Sequence, residues 1–256
     1  MKKVFFFLLS VFLLYGCPDD DASDVVDEDS TTTEECIVGA SCDDGDPDTV
    51  NDVFNDNCLC VGEPDAQGLV PVFGSYTDPR DGKVYQTVTI GDKEWFAENL
   101  DYRGLDTTIY GNIQCYENDP AYCDIYGVLY THVAIGVAAP PGWRIPSLEE
   151  VQELYDLIVN ATGDTDVGHH MRVTGTEYWL PPNEGATNAS GFSALPAGSF
   201  YSSDFLDLGR TAYFWTSTPY PNSTTYYYFI VRGHGQTFQY GPNHNKKLSS
   251  IRPIRD

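Results

Sequence analysis

The chain has 256 residues and a formal net charge of −24, from 38 Asp and Glu against 14 Lys and Arg, which argues against nucleic acid or an anionic membrane face as partners. The charge is uneven: residues 18–66 hold 17 acids and no Lys or Arg, whereas residues 67–256 hold 21 acids and 12 bases. The charge is concentrated in the front of the chain.

Residues 1–16 read as a signal peptide, with Lys2 and Lys3 ahead of an apolar run from Val4 to Leu14. That run is about half of the ~20 residues a helix needs to span hydrocarbon, so the mature protein is expected to have no transmembrane helix. Leu14-Tyr15-Gly16-Cys17 resembles the lipobox of bacterial lipoproteins, with Tyr15 bulkier than the residue usual there. The resemblance implies that Cys17 becomes the lipidated first residue and anchors the protein to a membrane. The alternative is an ordinary secretory signal with a chance cysteine.

Residues 17–35 lack aromatics and carry like charges, so they are expected to form an extended, disordered acidic tether. The acidic run after Cys17 also resembles the signal that sends lipoproteins to the outer face of the outer membrane in some Gram-negative lineages, which would put the protein on the cell surface. A plain spacer is the other reading.

Six further cysteines remain, Cys36, Cys42, Cys58, Cys60, Cys115 and Cys123. An even number in an exported chain suggests disulfides. Cys115 is expected to pair with Cys123, and the first four among themselves in one of three connectivities. Residues 36–66 resemble a small cysteine-bracketed module recurrent in surface proteins of such bacteria; so short a segment buries little and must rely on its bridges. Within it Asp43, Asp44, Asp46, Asp48, Asn51 and Asp52 offer the hard oxygen ligands that Ca²⁺ takes, and Gly45 permits a sharp turn. The spacing is not that of an EF-hand, and the competing reading is a solvated acidic turn capped by Asp. Calcium is the one cofactor considered; oxidised cysteines imply no zinc.

Residues 70–256 suffice for one continuous core. Val84, Val88 and Ile90 alternate with Tyr85, Thr87 and Thr89, and Gly91-Asp92 before Lys93-Glu94-Trp95-Phe96 signals a hairpin. Residues 130–135 fit either a short helix or a strand. Ser147-Leu-Glu-Glu150 is a capping box, and Leu148, Val151, Leu154, Tyr155 and Ile158 recur at helical spacing, predicting a helix to about Asn160. Strands are predicted over 214–218, 225–231, 236–240 and 249–254. The plan is α+β, with short antiparallel strands, one main helix and long loops.

Several stretches then occur in one order: Asp81-Gly-Lys-Val-Tyr-Gln-Thr-Val-Thr-Ile-Gly, Trp95-Phe-Ala-Glu-Asn-Leu100, Cys115-Tyr-Glu-Asn-Asp119 with Cys123, and Tyr126-Gly-Val-Leu-Tyr-Thr131. Pro141-Gly-Trp-Arg-Ile-Pro-Ser147, Gly191-Phe-Ser-Ala-Leu-Pro-Ala-Gly198, Phe214-Trp-Thr-Ser-Thr218 and Ser249-Ser-Ile-Arg-Pro-Ile-Arg-Asp256 follow. Through them residues 74–256 resemble the Fibrobacter succinogenes major paralogous domain. The resemblance implies a C-type-lectin-like fold, shared with the formylglycine-generating enzyme, in which strands from the two chain ends pair and a helix follows Trp-Arg-Ile-Pro.

A shared frame does not carry a shared activity. Calcium-dependent lectins use Glu-Pro-Asn or Gln-Pro-Asp and Trp-Asn-Asp, where this chain has Pro182-Asn183-Glu184 and Phe214-Trp215-Thr216. The oxidising relative holds copper through cysteines, and no cysteine follows Cys123 here. The histidines form no recognisable triad, and His169-His170 is expected at the surface. No catalytic residue is proposed. Instead, aromatics crowd the last third; alternate members of 226–231 should fill the core, while Trp215, Tyr220 and Tyr240 are the candidate ligand-binding rings. The expected function is a non-enzymatic, adhesin-like surface lipoprotein that binds glycan or protein. The alternative is a structural envelope component packed against other surface proteins.

Overall fold

The computed structural model describes residues 37–45, 49–64, 69–242 and 247–256. The signal segment 1–16, Cys17, the tether 17–35, Cys36, Asp46 and Asp48 lie outside the described residues, as does the side chain of Asn51. Among the described residues no helix is long and apolar enough to cross a membrane.

The chain enters on an antiparallel hairpin, β1 (Thr49–Phe54) with β2 (Cys60–Pro64), bridged by the Cys42–Cys60 disulfide. Cys58 is disulfide-bonded as well. Then β3 (Val72–Thr77), β4 (Val84–Ile90) and β5 (Lys93–Phe96) form an antiparallel meander. Ile90 faces Lys93, so Gly91-Asp92 is a two-residue turn, and Gly91 supplies its φ of +64°.

Alternation along these strands decides the packing, because successive side chains leave a strand on opposite faces. Trp95 enters a cluster with Val88, Ile90, Leu154 and Ile158, while Phe96 enters a second with Tyr85, Leu100, Trp143 and Trp215. The sheet therefore has a core on each face, and β4 reads buried on both.

Beyond it come α1 (Thr107–Tyr110), β6 (Ile113–Gln114), α2 (Pro120–Tyr126) and β7 (Leu129–Tyr130), with β6 paired to β7. Cys115 pairs with Cys123, as expected. Asp119 caps α2 and accepts from the Ala121 amide, with Pro120 at the first helical position. Gly127 stops it at φ +73°, where a Cβ would lie 2.8 Å from both Asn99 Cβ and the Leu100 carbonyl oxygen. The ambiguous segment after β7 is a 3₁₀ helix, His132–Gly136.

The main helix, α3 (Leu148–Thr162), begins at the predicted capping box: Ser147 Oγ accepts from the Glu150 amide at 3.1 Å, and the Ser147 amide donates to Glu150 Oε2 at 2.8 Å. Val151, Leu154 and Ile158 are its buried stripe. It runs two residues past the expected Asn160 because the left-handed Gly163, rather than a side chain, ends it. The short α4 (Gly168–Met171) follows.

A small hairpin of β8 (Ser199–Tyr201) and β9 (Asp204–Leu206) precedes the second large sheet, β10 (Thr211–Pro219), β11 (Tyr226–Arg232) and β12 (Phe238–Pro242), in that order. Residues 226–231 do not alternate as expected: 226–228 are half-buried and 229–231 buried, because α3 and α4 reach the far end of this central strand.

The predicted 249–254 strand is mostly not one. Only β13 (Ile254–Arg255) is a strand, paired antiparallel to β5, giving the order β13-β5-β4-β3. The residues before it run across other elements rather than along one, bonding in turn to Tyr130, Trp215 and Leu100 through their backbones. The architecture is α+β.

Three buried phenols set an alkaline limit. Burial pushes Tyr85, Tyr130 and Tyr213 well above the ordinary value. Above pH ~10 the unfolded chain releases these protons and the folded chain keeps them, so stability falls with rising pH by about 1.4 kcal/mol per unit per phenol. Urea unfolding at pH 9 and pH 11 is expected to show this loss, and Tyr130→Phe a shallower slope.

Candidate functional site

The stretches that carry the family resemblance converge on a buried polar network rather than on a cavity. Arg252 is 0 % exposed. Its Nε donates to Asn99 Oδ1 at 2.7 Å, its Nη1 to the Phe96 and Phe192 carbonyls, and its Nη2 to the Ser193 carbonyl at 2.8 Å. Asn99 in turn donates to the Tyr126 carbonyl at 2.7 Å. Burial lowers the Arg252 pKa, yet every acceptor around it suits the protonated guanidinium, which also lies 4.7 Å from the Phe192 ring.

Trp215 belongs to this frame, a correction to its expected place on a binding face. It is 0 % exposed and its Nε1 donates to the Tyr130 carbonyl at 2.8 Å. On β10, Phe214 feeds one core and Trp215 the other, so neither is available to a ligand. Aromatic content alone carried no signal of this, since both faces of the strand are covered. Tyr220 is half-buried at the turn between β10 and β11, edge-on to Tyr227 at 5.1 Å. Tyr240 is 49 % exposed.

Tyr240 lines an open groove of about 580 Å³ with Gln152, Tyr155, Asp156, Thr165, Gln236, Phe238 and Gln239. Gln152, Tyr155 and Asp156 stand at i, i+3 and i+4, hence on one face of α3. Phe238 and Tyr240 stand two apart on β12, hence on one face of the sheet. Tyr155 stacks on Phe238 with ring centroids 5.5 Å apart and donates to the Thr165 carbonyl at 3.0 Å. Gln239 is held from both ends: Arg232 Nη1 donates to its Oε1 at 2.7 Å, and its Nε2 donates to Gln236 Oε1. Reading the sequence missed this site apart from Tyr240. The polar 152/156 side of the helix was the only available signal, and it resembles any solvated helix face.

In the acidic loop, ligand oxygens of Asp43, Asp44 and Asp52 lie within 4.8 Å of one another. Each carboxylate also accepts a backbone amide: Gly45 to Asp43 Oδ1, Gly62 to Asp44 Oδ2 and Asp44 to Asp52 Oδ2, at 2.9–3.1 Å. These bonds close the acidic turn without an ion, so convergence alone does not make a calcium site.

His169 and His170, on α4, are half-buried and separately engaged. His169 Nε2 lies 3.5 Å from Asp166 and His170 Nε2 3.4 Å from Asp164. Arg172, also fully buried, contacts His169 Nδ1 at 3.0 Å and donates to the Glu184 and Arg232 carbonyls. Asn183 donates to the carbonyls of Val173 and Gly175, so the Pro-Asn-Glu segment is tied to its own loop. A second cleft, of about 460 Å³, contains Arg80, Lys83 and Arg103, but they bridge Asp78, Asp101 and Asp124 and leave little charge to offer an anion.

No curated protein and no solved structure matches the chain. The family model described as the Fibrobacter succinogenes major domain matches residues 88–255, a span that begins within β4 and takes in Asn99, Trp215, the groove and Arg252. The chain belongs to the Fibrobacter succinogenes major domain family.

Proposed function

We propose that this protein is a cell-surface lipoprotein of the outer membrane, anchored through Cys17, whose C-type-lectin-like domain binds glycan or protein without transforming it. The observation that carries the reading is the division of the aromatic and polar residues. The family stretches that meet at Arg252 are consumed in a buried network in which Arg252 and Asn99 bond to each other and to backbone carbonyls, while Tyr240 and an ordered set of amides face solvent in a groove. Exposed Tyr beside amides offers rigid contact area with hydrogen bonding at its edges. The signal segment, Cys17 and the acidic run of residues 18–35 support the anchor and the outward address. Calcium is the proposed ion for the 43–52 loop, and Tyr220 a peripheral contact.

The test uses the mature chain with Cys17→Ser on an array of glycans and envelope proteins, in calcium and in chelator. A specific, saturable hit is the expected result, and loss of the hit or of melting temperature in chelator would assign the loop to calcium. Binding to nothing on the array would remove the recognition reading.

One feature favours the structural alternative. Val70, Val72 and Phe73, on and before edge strand β3, are all more than half exposed, and an apolar sheet edge of this kind suits packing against another surface protein.

A further inference from the structure

The groove between α3 and β12 has a chemistry more selective than "glycan or protein". Its volume of about 580 Å³ falls within the ~300–1,000 Å³ of small-molecule sites, and it is open along one side. Three side-chain amides line it: Gln152 offers a donor and an acceptor, and Gln236 and Gln239, bonded to each other, keep further amide N–H donors, which sugar hydroxyl oxygens can accept. Asp156 accepts only, through two oxygens, and so suits a pair of neighbouring hydroxyls. Tyr240 supplies a ring face for a sugar's C–H side, and among the described residues no Lys or Arg lines the groove. Arg232 is occupied behind it in fixing Gln239, so the amide is ordered before a ligand arrives.

Resting on the binding reading above, we propose that this groove binds a neutral oligosaccharide, with Tyr240 as the stacking platform and Gln152, Asp156, Gln236 and Gln239 as the hydroxyl partners. An acidic saccharide is disfavoured by Asp156 and by the net charge of the chain. An extended peptide would need the free edge of β12 rather than the amides.

The experiment titrates cellohexaose, mannohexaose and xylohexaose, with oligogalacturonate as the anionic probe and an extended decapeptide as the peptide probe, into the mature chain carrying Cys17→Ser. Variants Tyr240→Ala and Gln152→Leu are measured beside it. At least one neutral hexaose is expected to bind saturably. Tyr240→Ala should weaken it about tenfold and Gln152→Leu several-fold, with melting unchanged, because both positions lie outside the core. Equal affinity in both variants would overturn the inference and leave the glycan reading standing at another face, where Tyr220→Ala would then locate it. Preference for oligogalacturonate or the peptide would overturn the saccharide assignment alone. Silence from every probe here, together with silence on the wider array, would remove the groove and the binding reading together.

Discussion

Arg252→Met is expected to lower unfolding free energy by about 3–5 kcal/mol, the scale seen when one member of a buried charged network is removed. The reason lies in what the guanidinium touches. It spans the carbonyls of Phe96, Phe192 and Ser193 and Asn99 Oδ1, four acceptors from segments far apart in the chain. An apolar replacement leaves up to four buried acceptors without that donor, at about 1–3 kcal/mol each, offset in part by relief of a desolvated cation. Against a total stability of ~5–15 kcal/mol this is enough to unfold much of the population. Arg252→Lys keeps the charge but spreads three donors from one nitrogen, so it should recover only part of the loss. Urea unfolding midpoints decide the matter: a Met variant within about 1 kcal/mol of the parent would mean the network is incidental to the fold.

Trp215→Ala is the second large effect, about 3–5 kcal/mol, from a cavity left in a closed core together with loss of the indole bond to the Tyr130 carbonyl, which keeps the Ser249 amide as its other donor. The same truncation at Tyr240 should stay within about 0.5 kcal/mol, since roughly half of that side chain already meets water. Calorimetric melting of the two variants is the check. If Trp215→Ala melted like the parent and lost ligand instead, the indole would return to the binding face.

What the sequence revealed about the fold follows from how local each signal is. The capping box and the 151, 154, 158 stripe act within a few residues, and α3 starts on the predicted residue. Gly91-Asp92 is equally local and gives the β4–β5 turn. Cys115 and Cys123 lie eight apart and pair across one short helix. Residues 249–254 illustrate the opposite case. Their sequence looks like a strand, but their backbone bonds go to Tyr213 and Trp215 on β10 and to Tyr130, Leu100 and Phe96 more than one hundred residues away, and no local pattern specifies a strip that crosses elements. β3 is an edge strand exposed on both faces, so no buried period marked it.

The site was less legible than the fold. Burial of an aromatic on β10 depends on what covers each face, which composition does not encode, and Trp215 was misplaced for that reason. Gln152 and Asp156 acquire meaning only when α3 lies beside β12, because amides on a helix face and amides on a strand are separately unremarkable. Tyr240 is exposed because it sits near the end of an edge strand among Gly and Pro, where a ring has few neighbours to bury it, a position that its place among the aromatics of the last third does not reveal.

The decisive measurement is incubation of the best array ligand with the Cys17→Ser chain, followed by mass analysis of the ligand and a binding isotherm on the same sample. Reversible, saturable binding that Tyr240→Ala weakens, with the ligand recovered unaltered, is the expected result. A ligand recovered cleaved, oxidised or otherwise changed would contradict a purely binding role and place an enzyme on this frame.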